Sequence, residues 1–326
     1  MQNIRWGIIG CGDVTEKKSG PGFRKARHSQ LVAVMRRSGD LARDYAERHG
    51  VPKWYDDGEA LIRDPEVDAV YIATPPDSHK HYTLLSARAG KPVYVEKPMA
   101  LNVDECREMI RACAAAGVPL FVAYYRRALE RFQKIKSLLE NDAIGEVRFV
   151  RVMLCKPPLP VSPDPDNIPW RLRPEIAGGG LFVDLASHML DFLDFALGPI
   201  REAWGFSGNQ AGQYPAEDIV SGSFAFESGV QGVGTWCFSA YEKCDITEIV
   251  GSQGKISYST FGEEPVVLSN RSGQREFDFL TPPHIQQPLI QSVVDELIGT
   301  GQCPSSGESA IRTTRVMEQL LSGPRS

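Results

Sequence analysis

The stretch IRWGIIGCGDVT, residues 4–15, is an apolar run that closes on glycine and continues as G-x-G. An apolar run without alternation is the pattern of a strand covered on both faces, as in a parallel sheet. Gly10 and Gly12 stand where a dinucleotide-binding turn needs a tight bend and then bare backbone close to a pyrophosphate. Thr15 takes the third position, where Gly or Ala is usual, so the fingerprint is incomplete, and two glycines after a strand also suit an ordinary loop. The segments that follow decide between these readings.

QLVAVMRRS (30–38) reads as a second strand at βαβ spacing, and DLARDYAERHG (40–50) as a helix burying Leu41, Tyr45 and Ala46 and stopped by Gly50. VDAVYIATPP (67–76), KPVYVEKP (91–98) and VPLFVAYYRR (118–127) are the third, fourth and fifth strands. Between the last two, Val103, Cys106, Ile110 and Cys113 recur at helical spacing behind Asn102, a helix-capping residue. Strands alternating with helices predict a doubly wound parallel sheet, whose ligands bind at the carboxyl ends of the strands. Thr74, Pro75, Pro76, Glu96, Lys97 and Pro98 all fall at such ends. A lysine in a turn is usually a surface lysine; its place here aims Lys97 into the ligand crevice, with Pro98 restricting the backbone.

An NAD-specific site puts an acid at the end of the second strand, about twenty residues past the glycine turn. This chain has Arg36, Arg37 and Ser38 there, a set suited to a 2′-phosphate through guanidinium forks and a hydroxyl donor. NADP(H) is therefore the preferred cofactor, with NAD(H) the alternative, since Asp40 stands close enough in sequence to reach a ribose.

After Arg127 the pattern changes. ALERFQKIKSLLEN (128–141) is a helix with Leu129, Phe132, Ile135 and Leu139 as its buried stripe, and EVRFVRVML (146–154) opens a series of strands. Hairpins are expected at Ser228–Gly229, Gly251–Gly254 and Asn270–Gly273, and two helices close the chain. The proline-rich KPPLPVSPDPDNIPW (156–170) must be a stiff loop; it ends at Trp170, Arg171 and Arg173, a candidate pocket wall. AGGGLFVDLASHMLDFLDFALG (177–198) places Asp184, His188 and Asp191 at i, i+4 and i+7 of one helix. Asp184 can orient His188 at that spacing, and a histidine held by a carboxylate is a general acid/base. A surface pair and a metal site are the other readings; no further His or Cys nearby supports a metal, and none is expected.

With 326 residues, two domains are the natural expectation. A net charge of −5 offers no electrostatic footprint for nucleic acid or an anionic membrane, so a small-molecule partner is expected. No apolar run approaches the roughly 20 residues of a membrane span, and the seven cysteines contain no C-x-x-C pair. A cytoplasmic protein with reduced thiols follows.

Taken together, GIIGCGDV (7–14), IATPPDSHKHY (72–82), VYVEKPMA (93–100) and AGGGLFVDLASHMLDF (177–192) resemble the Gfo/Idh/MocA family of oxidoreductases over nearly the whole chain. The resemblance implies an α/β N-terminal Rossmann domain over 1–123, a doubly wound parallel sheet. It also implies an α+β domain over 124–326 with a large, mostly antiparallel open sheet for substrate binding and oligomerisation. It makes Lys97, Asp184 and His188 the catalytic group, with His188 exchanging the hydroxyl proton, Lys97 hydrogen-bonding that oxygen and Asp184 orienting the pair. Gly10, Gly12, Asp13, Val14, Thr74, Pro75, Pro76, His79, Glu96 and Lys97 would line the cofactor, joined by Arg36, Arg37 and Ser38. Tyr124, Tyr125, Arg126, Trp170, Arg171 and Arg173 are candidates for recognising a hydroxylated ring.

The implied reaction is hydride transfer between nicotinamide and a hydroxyl-bearing carbon of a sugar, polyol or related cyclic alcohol, in a dimer or tetramer. Thr15 departs from the family's glycine turn and shifts attention to Lys17 and Lys18 as phosphate contacts. Two other activities share this resemblance: a glycosidase using NAD for transient oxidation and elimination, and a non-catalytic cofactor-sensing regulator. Intact Lys97, Asp184 and His188 argue against the regulator, and net redox turnover separates the glycosidase.

Overall fold

The computed structural model describes residues 3–161, 164 and 167–323, so Ser162, Pro163, Pro165 and Asp166 of the proline-rich loop lie outside the described residues. The chain forms two compact units, Met1–Leu129 with Pro282–Ile311, and Glu130–Thr281 with Arg312–Ser326. The boundary expected at 123/124 thus lies inside the first unit, and residues 282–311, expected in the second domain, return to the first. Hydrogen bonding gives the reason. Val122 N donates to Ser305 O, Ser305 Oγ donates to Val122 O, and Phe121 bridges to Ser306, so the returning segment satisfies an otherwise open sheet edge.

The first unit runs β1 Ile4–Ile9, α1 Asp13–Lys17, α2 Gly20–Lys25, β2 Ser29–Met35, α3 Gly39–His49, β3 Lys53–Tyr55, α4 Gly58–Arg63, β4 Ala69–Ile72, α5 His79–Arg88, β5 Val93–Val95, α6 Val103–Ala116 and β6 Leu120–Val122. Its six strands are all parallel, in the order β3-β2-β1-β4-β5-β6. The order reverses direction between β1 and β4, the switch point at which a doubly wound sheet binds ligands. Burial of Ile8, Ile9, Val70, Ile72, Val93 and Val95 explains why these strands read as near-continuous apolar runs. Asn102 caps α6 by accepting from Glu105 N at 2.9 Å.

One local expectation is corrected and two features are added. β3 was not anticipated, because KWY is a three-residue edge strand with no two-sided burial to imprint on it. In α3 it is Ala42, not Leu41, that joins Tyr45 and Ala46 inside; Leu41 is exposed. The glycine turn leads into two short helices. Gly20 lets them meet: a Cβ there would stand 2.2 Å from Thr15 O and 2.4 Å from the Tyr45 hydroxyl.

The second unit contains α7 Glu130–Glu140, β7 Val147–Cys155, α8 Pro174–Ala177, α9 Leu181–Leu197, β8 Ile200–Gly208, β9 Ile219–Phe226, β10 Gln231–Cys237, β11 Cys244–Gly251, β12 Gly254–Tyr258, β13 Val266–Asn270 and β14 Gly273–Phe277. α10 Gln287–Leu297 and α11 Gly307–Leu321 complete the chain. The eight-stranded sheet has the order β14-β13-β12-β11-β7-β10-β9-β8 and is antiparallel except where β10 meets β7. The three expected hairpins form, with Gly229 and Gly273 in the left-handed region at φ 89° and 111°. β8 was not anticipated; IREAWGFSG mixes charge and apolar residues on its outer face.

Rings from α7 and α9 close one face of this sheet: Phe132 packs on Phe192 at 4.8 Å and Phe182 on Trp236 at 5.2 Å. The segment Pro174–Leu197 is long and apolar enough to cross a membrane, contrary to the reading of the runs, but 78% of its most apolar window is buried inside the protein, which makes it a core helix. The opposite face carries Trp204 at 62% exposure, Phe206 at 53% and Val233 at 55%.

Glu248 sits on that open face, bonded by Arg151 and by Lys255 at 2.7 Å. Burial alone would raise its carboxyl, but these two cations outweigh it and hold the group at about 2. A carboxyl depressed in the folded state adds stability above its unfolded value of about 4.3 and loses it as pH falls towards 2. Glu248→Gln is therefore less stable than the parent at neutral pH, and chemical denaturation should show the gap closing between about pH 4.3 and 2. A gap that stays constant across this window would mean that the charge contributes nothing.

Candidate active site

In the first unit, β1 ends at Gly10, whose φ of 89° is left-handed. A Cβ at Gly10 would lie 2.8 Å from Thr74 Cγ2 and 2.9 Å from Thr74 N, so glycine lets the turn touch the end of β4. At Gly12 a Cβ would meet only Gly10 O, at 3.9 Å, leaving bare backbone facing open space. That cradle, followed by Asp13 and Val14 at the start of α1, fits a dinucleotide pyrophosphate. Thr15 is accommodated without an acceptor left over: its hydroxyl donates to Gly12 O at 2.8 Å and its carbonyl accepts from Tyr45 OH at 2.9 Å. Lys17 and Lys18 use their carbonyls to bind His284 and Gln286.

Arg36, Arg37 and Ser38 are exposed just beyond β2. Arg36 acts on the glycine turn electrostatically: burial pushes the Cys11 thiol up to about 11, and Arg36 works against that rise. Asp40, the alternative ribose ligand, is exposed and pairs with Arg43 at 3.2 Å.

Thr74 and Pro75 are partly exposed and Pro76 is buried. His79 is wholly buried, with Nε2 2.8 Å from Thr74 O and Nδ1 3.1 Å from Pro98 O. Burial lowers its pKa, favouring the neutral ring. His79 thus braces the ends of β4 and β5.

Glu96 is buried and its carboxylate collects three donors: Tyr71 OH at 2.5 Å, Gln286 Nε2 at 2.6 Å and Lys97 N at 3.2 Å. Tyr94 OH donates to Gln286 Oε1 at 3.2 Å, and Gln286 N donates to Lys18 O. Burial and the Glu96 charge hold the Tyr71 hydroxyl well above its usual range. The partly buried Lys97 follows, joined to Pro98 by a cis peptide bond. Tyr71 and Gln286 were missed by the sequence reading; Tyr71 looks like any strand residue, and Gln286 lies 190 positions from the carboxylate it holds. Tyr124, Tyr125 and Arg126 are also in this unit and buried, with the Arg126 guanidinium 5.0 Å from the Tyr125 ring centre.

In the second unit, α9 begins at Gly180, whose N–H donates to Glu217 Oε1 at 2.9 Å. A Cβ at Gly180 would stand 2.6 Å from the Ala216 Cβ, so the glycine run lets this helix start pack closely. Asp184 and His188 follow on one face. Arg171 Nε lies 3.7 Å from Asp184 Oδ2, and its guanidinium stacks on Trp170 at 4.3 Å. Arg173 instead donates to Ile168 O, bracing the loop. His188 is buried, its ring 6.1 Å from Phe261, edge to face.

Phe261 was also missed. Asp245 fixes it by accepting from Phe261 N at 2.6 Å, Thr260 N at 3.1 Å and Ser259 Oγ at 2.6 Å. Asp191, third in the i, i+4, i+7 series, accepts from Thr313 Oγ1 of α11 at 3.4 Å, a structural contact. Among the described residues no group of three His, Cys, Asp or Glu side chains is arranged to hold a metal ion.

Residues 4–124 match the family described as an oxidoreductase family with an NAD-binding Rossmann fold, and residues 132–257 match the Gfo/Idh/MocA C-terminal domain. The chain belongs to the Gfo/Idh/MocA oxidoreductase family. It is 40% identical to oxidoreductase P35 of Formosa agariphila, with 97% of each chain covered. It is 30% identical to 1,5-anhydro-D-fructose reductase of Ensifer adhaerens, over 94% of this chain and 92% of the relative. Aldose-aldose oxidoreductase of Caulobacter crescentus, solved with glycerol, superposes with a TM-score of 0.85 at 24% identity, covering 98% of this chain and 96% of that one, and so shares the fold. This Gfo/Idh/MocA member is an enzyme of the dehydrogenase/reductase type with an NAD-binding Rossmann unit.

Proposed function

We propose that this enzyme is an NADP(H)-dependent dehydrogenase or reductase acting on a hydroxyl-bearing carbon of a sugar, polyol or related cyclic alcohol. The observation that carries the cofactor reading is the exposed Arg36-Arg37-Ser38 set at the end of β2, where an NAD-specific enzyme needs an acid. Gly10, Gly12, Asp13, Val14 and Thr74 hold the dinucleotide, which supplies the hydride acceptor or donor when bound. The similarity to 1,5-anhydro-D-fructose reductase supports the substrate class.

In this reading His188 takes or returns the hydroxyl proton, Asp184 orients it, and Lys97 hydrogen-bonds the reacting oxygen. Glu96 anchors the backbone that carries Lys97 through its own three hydrogen bonds. Tyr124, Arg126, Trp170 and Arg171 recognise the substrate. The apolar open face of the eight-stranded sheet supports a homo-oligomer, a dimer or tetramer, and the free cysteines suit a cytoplasmic enzyme.

Titration with NADPH and NADH, followed by nicotinamide fluorescence, tests the cofactor reading: NADPH should bind at least about tenfold more tightly. Binding of neither would sink the reading, and net reduction of added NADP+ by sugars, inositols or cyclic diols would separate it from transient-oxidation glycosidase chemistry.

A further inference from the structure

Lys156 stands directly after β7, and the alternation of that strand decides where it points. Val150, Val152 and Leu154 face the helices and are buried, while Phe149, Arg151 and Met153 face outward. Lys156 continues the helix-facing series one residue past the end of the strand. Its backbone is fixed on both sides, with Lys156 N donating to Cys237 O at 2.8 Å and Ala240 N donating to Lys156 O at 3.0 Å. The side chain is partly buried, and its ammonium lies 5.6 Å from the centre of the Phe261 ring, the ring that also packs against His188.

Among the described residues no carboxylate forms an ion pair with Lys156. Two acids of this unit are engaged elsewhere: Asp245 binds the N–H groups of the turn that carries Phe261, and Asp184 pairs with Arg171. The ring partly compensates the ammonium through its π face, a weaker partner than a carboxylate. A cation whose backbone is held on both sides, with no counter-ion among the described residues and packed on the same ring as a candidate general acid/base, is suited to an anion.

We infer that Lys156 binds a carboxylate of the substrate, so that the substrates are sugar acids, uronates or aldonates, in preference to neutral sugars. Phe261 supplies the apolar platform for the ring or chain between that carboxylate and the reacting hydroxyl. This inference rests on the dehydrogenase reading for its reaction but on Lys156 and Phe261 for its specificity.

Binding and turnover are measured separately so that the two can fail separately. Isothermal titration of the protein, with and without NADP+, uses D-glucuronate, D-galacturonate and D-gluconate against D-glucose, D-galactose and D-glucuronamide. At least one acid should bind about 10- to 100-fold more tightly than its neutral counterpart, the range of a hydrogen bond between charged groups. The advantage should shrink with added salt, vanish in Lys156→Met and largely persist in Lys156→Arg, with melting curves confirming that both variants fold. If no acid is preferred over its neutral counterpart, or if Lys156→Met keeps the preference, the carboxylate assignment is overturned. Lys156-dependent binding of an acid without cofactor reduction would overturn the dehydrogenase reading and leave the carboxylate site standing. Equal turnover of neutral and acidic sugars would do the reverse.

Discussion

Replacing His188 with alanine should lower kcat by about 10²- to 10⁴-fold, and Lys97→Ala should do the same, while NADPH affinity changes by less than about threefold. The range is that of a positioned proton-transfer group. His188 is suited to that part because it is buried against Phe261 on α9, a helix whose start is packed tightly through Gly180. Lys97 is suited because the residue before it is tied down by Tyr71 and Gln286 from two other elements. Steady-state kinetics with saturating cofactor, alongside fluorescence titration, checks both variants. Unchanged turnover in the two would remove the catalytic assignment, whereas lost cofactor binding would recast Lys97 as a cofactor ligand.

The double substitution Arg36→Ala with Arg37→Ala should weaken NADPH by about 10- to 100-fold and NADH by less than about threefold. Only NADPH carries the 2′-phosphate, so a guanidinium fork on that group appears as a difference between the two cofactors and not as a common loss. Both arginines are exposed, and solvent screening keeps the expected effect to the lower part of what charge-assisted hydrogen bonds can give. Equal weakening of both cofactors would instead mean that Arg36 and Arg37 act as general positive charge near the pyrophosphate. The titration should be repeated at raised ionic strength, where a directly bound phosphate retains more of its advantage than a distant one.

Much of this protein is written locally. Apolar runs from Trp6, Ala69 and Val93 predict strands covered on both faces, because a buried sheet imposes that composition on consecutive residues. Gly10, Gly229 and Gly273 mark turns that need a left-handed backbone, and Asn102 marks a helix start, since each of these requirements is met within a few residues of chain. Asp184 and His188 are legible as a pair because helical geometry alone puts i and i+4 on one face.

Tertiary structure decided what depends on residues far apart. Gln286 reaches Glu96 only because residues 282–311 fold back onto the first unit, and nothing in HIQQPLI announces that return. Asp191 shares the spacing of Asp184 and His188 yet turns to Thr313, since helical period assigns a face but not the neighbour packed against it. Lys156 and Phe261 are 105 positions apart, the one at the end of a strand and the other in a turn held by Asp245, and their shared ring contact exists only once β7 and that turn are assembled around α9. Short-range stereochemistry therefore determined the elements and the spacing of the candidate pair Asp184 and His188; long-range packing determined which side chains surround that pair.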